Sequence, residues 1–189
     1  MANKKKSPNR ISPGEERLNH GIALQRKNPL IARLNGTLQV CGKQAMGRET
    51  AALVHSSGTI YLNKDALLSP MEWAYTIAHC KLHLAFGHFD AERMPGYEKE
   101  LPDGSRQWVT SCNQPLWNMA CDIYVSKFLY DIKFGSPTCA NPADTFPGSL
   151  TDERKIYQYL MERGFSGKNQ SYGTACHTVM DMQGLERPL

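Results

Sequence analysis

The chain has 189 residues, of which 41% are hydrophobic and 21% are charged. This composition supplies enough apolar material for one packed domain and excludes a fully disordered chain. The net charge of +4 arises in the first ten residues, because the remaining basic residues balance the 18 acidic ones. We expect no nucleic-acid partner, since no nucleic-acid-binding signature accompanies this basic tail. No apolar run reaches the about 18 residues of a membrane helix and none follows the basic N-terminus, so we expect a cytoplasmic protein without membrane contact.

The first third of the chain predicts a tail, two helices and a small sheet. Residues 1–12 are expected to form a disordered basic tail. Residues 13–27 have apolar side chains at helical spacing and two glutamates in the first turn, which favours a helix. Residues 28–36 predict a second, short helix that ends at a glycine. The runs TLQVC, AALVHSS and GTIYLN predict strands, the last two joined as a hairpin through Ser56–Gly58.

The strongest helix signal covers about residues 69–87. Ser69 and Glu72 have the spacing of a capping box, and Pro70 occupies the first helical position. Gly87 is placed to end the helix. Most of the side chains between these ends are apolar, so the helix is expected to be buried.

The second half of the chain alternates loops with helices. Residues 90–112 are polar and rich in proline and glycine, and we interpret them as a long surface loop. A second long helix is predicted over about residues 113–133, and a third over about 150–164. Residues 166–189 are polar and are expected to be poorly ordered. This order of predicted helices and strands indicates one α+β domain over residues 13–165.

Three histidines lie within ten residues on the first long helix. His79 and His83 are four residues apart, which places both imidazoles on one helix face, one turn apart. Neutral imidazoles combined with an oxygen ligand favour zinc. Asp122, in an apolar part of the second long helix, is a candidate third ligand, because a buried carboxylate is costly unless it is paired or bound to a metal. His88 is an equal candidate if the helix ends near Gly87.

Four segments occur in order and carry a family resemblance: GTIYLN, LSPMEWAYTIAHCKLHLAFGH, PLWNMACDIYVSKFL and LTDERKIYQYLMERG. Over roughly residues 25–165 they resemble the metallopeptidase domain that often precedes a von Willebrand factor A-like domain in bacterial proteins. The resemblance implies a zincin-like fold, in which a small mixed sheet packs on a helix with the HExxH motif and a second long helix follows. It matches His79 and His83 to the two histidines of the motif, His88 to the histidine that often follows, and Asp122 to the aspartate of the second helix.

Cys80 occupies the position of the motif's glutamate. In HExxH peptidases this glutamate is the general base that takes a proton from metal-bound water. The resemblance implies that the side chain at this position points to that water, where a cysteine is too short to serve. The chain is therefore a pseudoenzyme, or a hydrolase whose base has been replaced naturally or by engineering, or a hydrolase with another base such as Glu72, Asp90 or Glu92.

The sequence thus predicts a zinc-binding, metallopeptidase-like domain in which Cys80 argues against peptide hydrolysis. The alternative is a non-catalytic protein-interaction module that works with an ATPase or a von Willebrand factor A-like partner. The expected partner is a protein or a peptide in both cases. Metal content separates a metal-binding domain from a metal-free interaction module.

Overall fold

A computed structural model describes residues 11–46, 50–138, 151–165 and 181–185. Most of the predicted tail 1–12 and most of the predicted C-terminal segment 166–189 lie outside these residues. Within the described part the fold is mixed α+β. Its elements in chain order are α1 (Pro13–Lys27), a 3₁₀ helix (Ile31–Arg33), β1 (Thr37–Cys41), the short α2 (Lys43–Met46), β2 (Ala52–His55), β3 (Thr59–Asn63), α3 (Pro70–Ala85), β4 (Gly96–Glu100), β5 (Arg106–Thr110), α4 (Gln114–Asp131), α5 (Glu153–Glu162) and β6 (Met182–Gln183).

The main sheet has four strands in the order β1-β3-β2-β6. Strand β3 is parallel to β1 and antiparallel to β2, while β6 is parallel to β2. The predicted hairpin between β2 and β3 is confirmed, with Gly58 in its turn at φ +85°. The inward-facing residues of β2 and β3 are fully buried and belong to the same apolar core as Trp73 and Ile77 of α3.

Helix α3 is the central element of the fold. Its predicted capping box is confirmed: Ser69 Oγ accepts from the backbone N–H of Glu72, and Glu72 Oε2 accepts from the backbone N–H of Ser69. Every residue from Trp73 to His83 is buried, because α3 packs against α1, α4 and the sheet. Because this apolar helix is buried on all sides, any polar group on it needs a specific partner.

Two sequence expectations differ from the structure. Residues 28–36 contain only the 3₁₀ helix Ile31–Arg33, and the predicted loop 90–112 contains the antiparallel pair β4–β5. Most residues of these two strands are exposed and polar, so they lack the alternation of apolar side chains that indicates a strand. No helix among the described residues is both long enough and apolar enough to cross a membrane.

The C-terminal segment 181–185 packs on the sheet, although the polar character of residues 166–189 favoured poor order. Val54 N–H donates to Asp181 O at 2.8 Å, and Ser56 N–H donates to Gln183 O at 3.0 Å. Met182 is fully buried in the main core. This short strand therefore brings residue 181 to the interior of the domain.

Candidate metal centre

Helix α3 places His79 and His83 side by side in the interior. The two side chains lie one turn apart, both are fully buried, and their Nε2 atoms are 2.9 Å apart. This is the arrangement expected for an i, i+4 pair on one helix face. The two imidazoles therefore share one face of α3 and are close enough to bind the same ion.

Helix α4 adds a carboxylate to the pair. Asp122 Oδ1 lies 3.4 Å from His79 Nε2 and 3.3 Å from His83 Nε2, and the side chain is fully buried. Asn118, one turn earlier on α4, donates its side-chain amide to Asp122 Oδ2 at 2.7 Å. The packing of α3 against α4 therefore brings Asp122 to the histidine pair, as the sequence analysis anticipated.

Asp181 is the fourth member of the group, and sequence analysis missed it. Its Oδ2 lies 3.3 Å from His79 Nε2, and its side chain is fully buried. The residue precedes strand β6 in a polar stretch with no recognisable motif, so only the pairing of β6 with β2 reveals its position. Among the described residues, His79, His83, Asp122 and Asp181 form a group of ligand atoms that all lie within 4.8 Å of one another.

The ligand atoms are close enough together to share one metal ion. Ligands at the ~2.0–2.1 Å typical of zinc with nitrogen or oxygen lie about 3.3 Å apart in a tetrahedron. Three of the His–Asp distances are 3.3–3.4 Å, the two histidine Nε2 atoms are 2.9 Å apart, and all four ligand atoms lie within 4.8 Å of one another. Two carboxylates and two imidazoles without solvent contact also form a site with an excess of negative charge, which a cation neutralises. The donor set therefore fits a bound metal.

The two carboxylates control the protonation of His79. Desolvation by burial lowers its pKa, but the hydrogen bonds and charges of Asp122 and Asp181 outweigh this effect and raise the pKa from 6.5 to about 9. Burial and the neighbouring charge of Asp181 raise the pKa of Asp122. Without a metal, a proton on His79 therefore partly offsets the negative charge of the site.

His88 is close to the site but is not in the ligand group. Gly87, with φ +67°, follows the end of α3 and turns the chain back, as the sequence analysis required for His88 to approach. His88 Nδ1 then lies 2.9 Å from His83 Nδ1, on the side of the imidazole that faces away from the other three ligands. Its Nε2 lies 2.8 Å from Glu153 Oε1. Of the two candidates for the third ligand, Asp122 is therefore the one that the structure places among the ligand atoms.

The environment of His88 favours its neutral form. Desolvation by burial lowers the pKa of His88 to about 4, despite the hydrogen bond to Glu153 that acts in the opposite direction. A cavity of about 310 Å³ lies beside His88. It is lined by His88, Arg93, Trp117, Asp152, Glu153 and Arg154.

Cys80 directly follows His79 on α3. Its side chain is fully buried in the apolar core and is not part of the ligand group. One residue along a helix is a rotation of about 100°, so the side chain of Cys80 leaves α3 in a different direction from that of His79. Among the described residues, the ligand group therefore contains no thiol.

The other proposed bases lie at or beyond the two ends of α3. Glu72 forms the capping box at the start of α3, and Asp90 and Glu92 follow its end. None of the three belongs to the group of possible metal ligands. Asp181 is the carboxylate, besides Asp122, that the described residues bring to the histidine pair.

Comparison with known proteins gives no further assignment. No protein-family model matches the chain, and no curated protein or solved structure matches it. The resemblance to zincin-like metallopeptidases therefore stays a prediction from sequence. The candidate metal centre rests on the geometry of its four side chains.

Proposed function

We propose that this chain is a zinc-binding domain of the metallopeptidase-like, zincin-like type, in which the metal stabilises the fold and does not hydrolyse peptides. The single observation that carries the proposal is the buried group of His79, His83, Asp122 and Asp181. Four protein ligands would fill the coordination shell of a tetrahedral zinc ion. Structural zinc sites are closed in this way, whereas catalytic sites keep one position open for water or substrate.

Zinc suits the donor set better than the other common biological cations. Magnesium and calcium need six or more oxygen ligands, whereas this group offers two imidazoles and two carboxylates. His79 and His83 would bind through Nε2, and Asp122 and Asp181 through one carboxylate oxygen each. The ion would supply positive charge that balances the two buried carboxylates.

A metal here would join three parts of the fold. His79 and His83 belong to α3, Asp122 belongs to α4, and Asp181 belongs to the segment that forms β6. The segment 181–185 is short, so a bond to the metal would add substantially to its attachment. Binding energy at such a site is also folding energy, because the unfolded chain has no preformed site.

The position of Cys80 supports the non-catalytic role. The thiol is fully buried in the apolar core and is not in the ligand group, and it is shorter than the glutamate that serves as general base in HExxH peptidases. The non-catalytic module expected from the sequence would then offer its surface to a protein or peptide partner. A separately encoded ATPase or von Willebrand factor A-like protein remains the partner that the sequence resemblance suggests.

A second candidate function is peptide hydrolysis with Asp181 as the general base. It is favoured by the position of Asp181, which directly precedes the two-residue strand β6 and is the one member of the group outside α3 and α4. If this carboxylate held a water molecule instead of the metal, it could accept the proton that Cys80 cannot accept. The zinc ion would lower the pKa of that water.

One experiment separates these candidates. The protein is purified without added metal, its zinc content is measured by elemental analysis, and its melting temperature and its activity on unfolded protein are compared with and without a chelator. A structural site gives about one zinc per chain, a lower melting temperature after chelation and no hydrolysis. If the site is structural, Asp181→Asn also weakens zinc binding.

A hydrolase instead gives chelator-sensitive cleavage that Asp181→Asn abolishes while zinc is retained. A protein that neither contains nor binds zinc overturns both candidates.

A further inference from the structure

A continuous line of hydrogen-bonding groups leads from the candidate metal centre to the protein surface. His83 Nδ1 lies 2.9 Å from His88 Nδ1, and His88 Nε2 lies 2.8 Å from Glu153 Oε1. The His83 side chain is fully buried and that of His88 is 1% exposed, while Glu153 is 12% exposed. The metal-facing atom of His83, Nε2, is at the inner end of this line.

For an ionised Glu153 and neutral imidazoles, the two hydrogen bonds determine where the protons lie. An ionised carboxylate can only accept, so His88 Nε2–H donates to Glu153. A neutral imidazole carries one proton, so His88 Nδ1 has a lone pair and accepts a hydrogen bond. His83 must then donate its Nδ1–H, and this leaves the lone pair of His83 on Nε2. That is the atom that faces His79 and Asp122.

The opposite assignment would block metal binding. If His88 donated from Nδ1, His83 Nδ1 would accept, and the proton of a neutral His83 would lie on Nε2. A protonated Nε2 has no lone pair for a metal ion. The choice between these two states depends on the acceptor at the far end of the line, Glu153.

We infer that Glu153, acting through His88, is a positioning residue that holds His83 in the tautomer able to bind the metal. The inference rests on the proposed zinc site and assigns Glu153 and His88 a function within it. Outer partners of this kind fix the orientation and tautomer of ligating histidines, and their loss typically costs 10–100-fold in metal affinity.

The surrounding structure holds both residues in place. The backbone N–H of His88 donates to His83 O at 3.1 Å, and Trp117 Nε1–H donates to His88 O at 3.0 Å. Glu153 is the first residue of α5, directly after the N-cap Asp152. The positive end of a helix dipole favours the ionised carboxylate at that position.

The second histidine of the site provides an internal contrast. His79 Nδ1 is buried without a hydrogen-bond partner among the described residues. His79 is instead held through Nε2 by Asp122 and Asp181. The line through His88 therefore acts on His83 and not on its neighbour.

The test uses three variants and two measurements on the whole chain. Glu153→Leu removes the acceptor, and Glu153→Gln keeps an amide oxygen that can accept from His88. Glu162→Leu, an exposed position on the same helix, is the control. ¹⁵N NMR of the metal-free protein reports the tautomer of His83, and competition with a chromogenic chelator reports zinc affinity.

We expect His83 to be protonated at Nδ1 in the wild type and in Glu162→Leu. Glu153→Leu should shift His83 toward the Nε2-protonated form and weaken zinc binding about 10–100-fold, while Glu153→Gln should restore most of both properties. Wild-type His83 protonated at Nε2, or unchanged tautomer and affinity in Glu153→Leu, would overturn the inference. Failure of the wild type to bind zinc would overturn the proposed function, and the NMR measurement would still decide the tautomer.

Discussion

Asn118 connects the two carboxylates of the candidate metal centre. Its side-chain amide donates to Asp122 Oδ2 at 2.7 Å, and its side-chain oxygen accepts from the backbone N–H of Met182 at 3.0 Å. Met182 directly follows Asp181 in the chain. One buried side chain therefore orients one ligand and positions the segment that carries another.

Replacing Asn118 by leucine should weaken the site without leaving a large cavity. Asp122 would lose a donor and the N–H of Met182 would lose an acceptor in a buried setting, which costs about 1–3 kcal/mol for each unsatisfied group. We expect zinc affinity to fall about 10–100-fold in a chelator competition assay. Gln114→Leu is the matched control on the same helix, because Gln114 Nε2 donates to Leu185 O but touches no ligand. Equal losses in both variants would mean that only attachment of the C-terminal segment matters.

Removal of a ligating histidine should be distinguishable from removal of a surface one. His83→Ala takes away one of the four candidate ligands, so the purified protein should lose zinc by elemental analysis. His20 is exposed on α1, and His20→Ala should retain the wild-type metal content. If both variants retain equal amounts of metal, the proposed site is wrong.

The helix with the histidine pair could be predicted from sequence because its signals are local. Ser69, Pro70 and Glu72 specify its start, and the four-residue interval between His79 and His83 specifies a shared face. Strands β2 and β3 could also be predicted, since their apolar residues and the short glycine-containing turn between them are local features. Asp122 could be found because a carboxylate in an apolar helix requires a partner.

The remaining features depend on contacts between distant parts of the chain. Asp181 reaches the site only because β6 pairs with β2, and nothing in the sequence near it indicates that pairing. The separation of His88 from the ligand group depends on the turn at Gly87, which sends its ring to the far side of His83. The burial of Cys80 in the apolar core depends on how α3 packs against the rest of the fold, which spacing along one helix does not determine.

The pH should affect the metal-free fold and zinc binding in opposite directions. The pKa of His79 is raised from 6.5 to about 9 in the metal-free fold. The protonated imidazole therefore stabilises the metal-free protein fully below about pH 6.5, and this contribution is lost as the pH rises through about 9. Zinc must displace the same proton, so its apparent affinity should rise over that interval.

The measurement compares melting temperatures with zinc and with a chelator at several pH values between 6.5 and 9. The difference between the two temperatures should grow as the pH rises. A difference that stays constant or shrinks would show that no ligand proton is displaced over this range. His20→Ala, which alters an exposed histidine outside the site, should reproduce the wild-type trend.

Restoring a glutamate at position 80 gives the sharpest test of whether the site is catalytic. The sequence resemblance implies that Cys80→Glu would create a general base and a chelator-sensitive peptidase. The structure implies a different outcome, because Cys80 is fully buried in the apolar core and a carboxylate there would have no solvent. We expect Cys80→Glu to lose about 3 kcal/mol or more of unfolding free energy, because it buries a charge without a partner.

The control is Cys80→Ala, which removes only the sulfur and should cost about 1 kcal/mol. Chemical denaturation measures both values, and a peptidase assay accompanies them. A Cys80→Glu protein of wild-type stability that cleaves unfolded substrates would show that position 80 faces the metal after all.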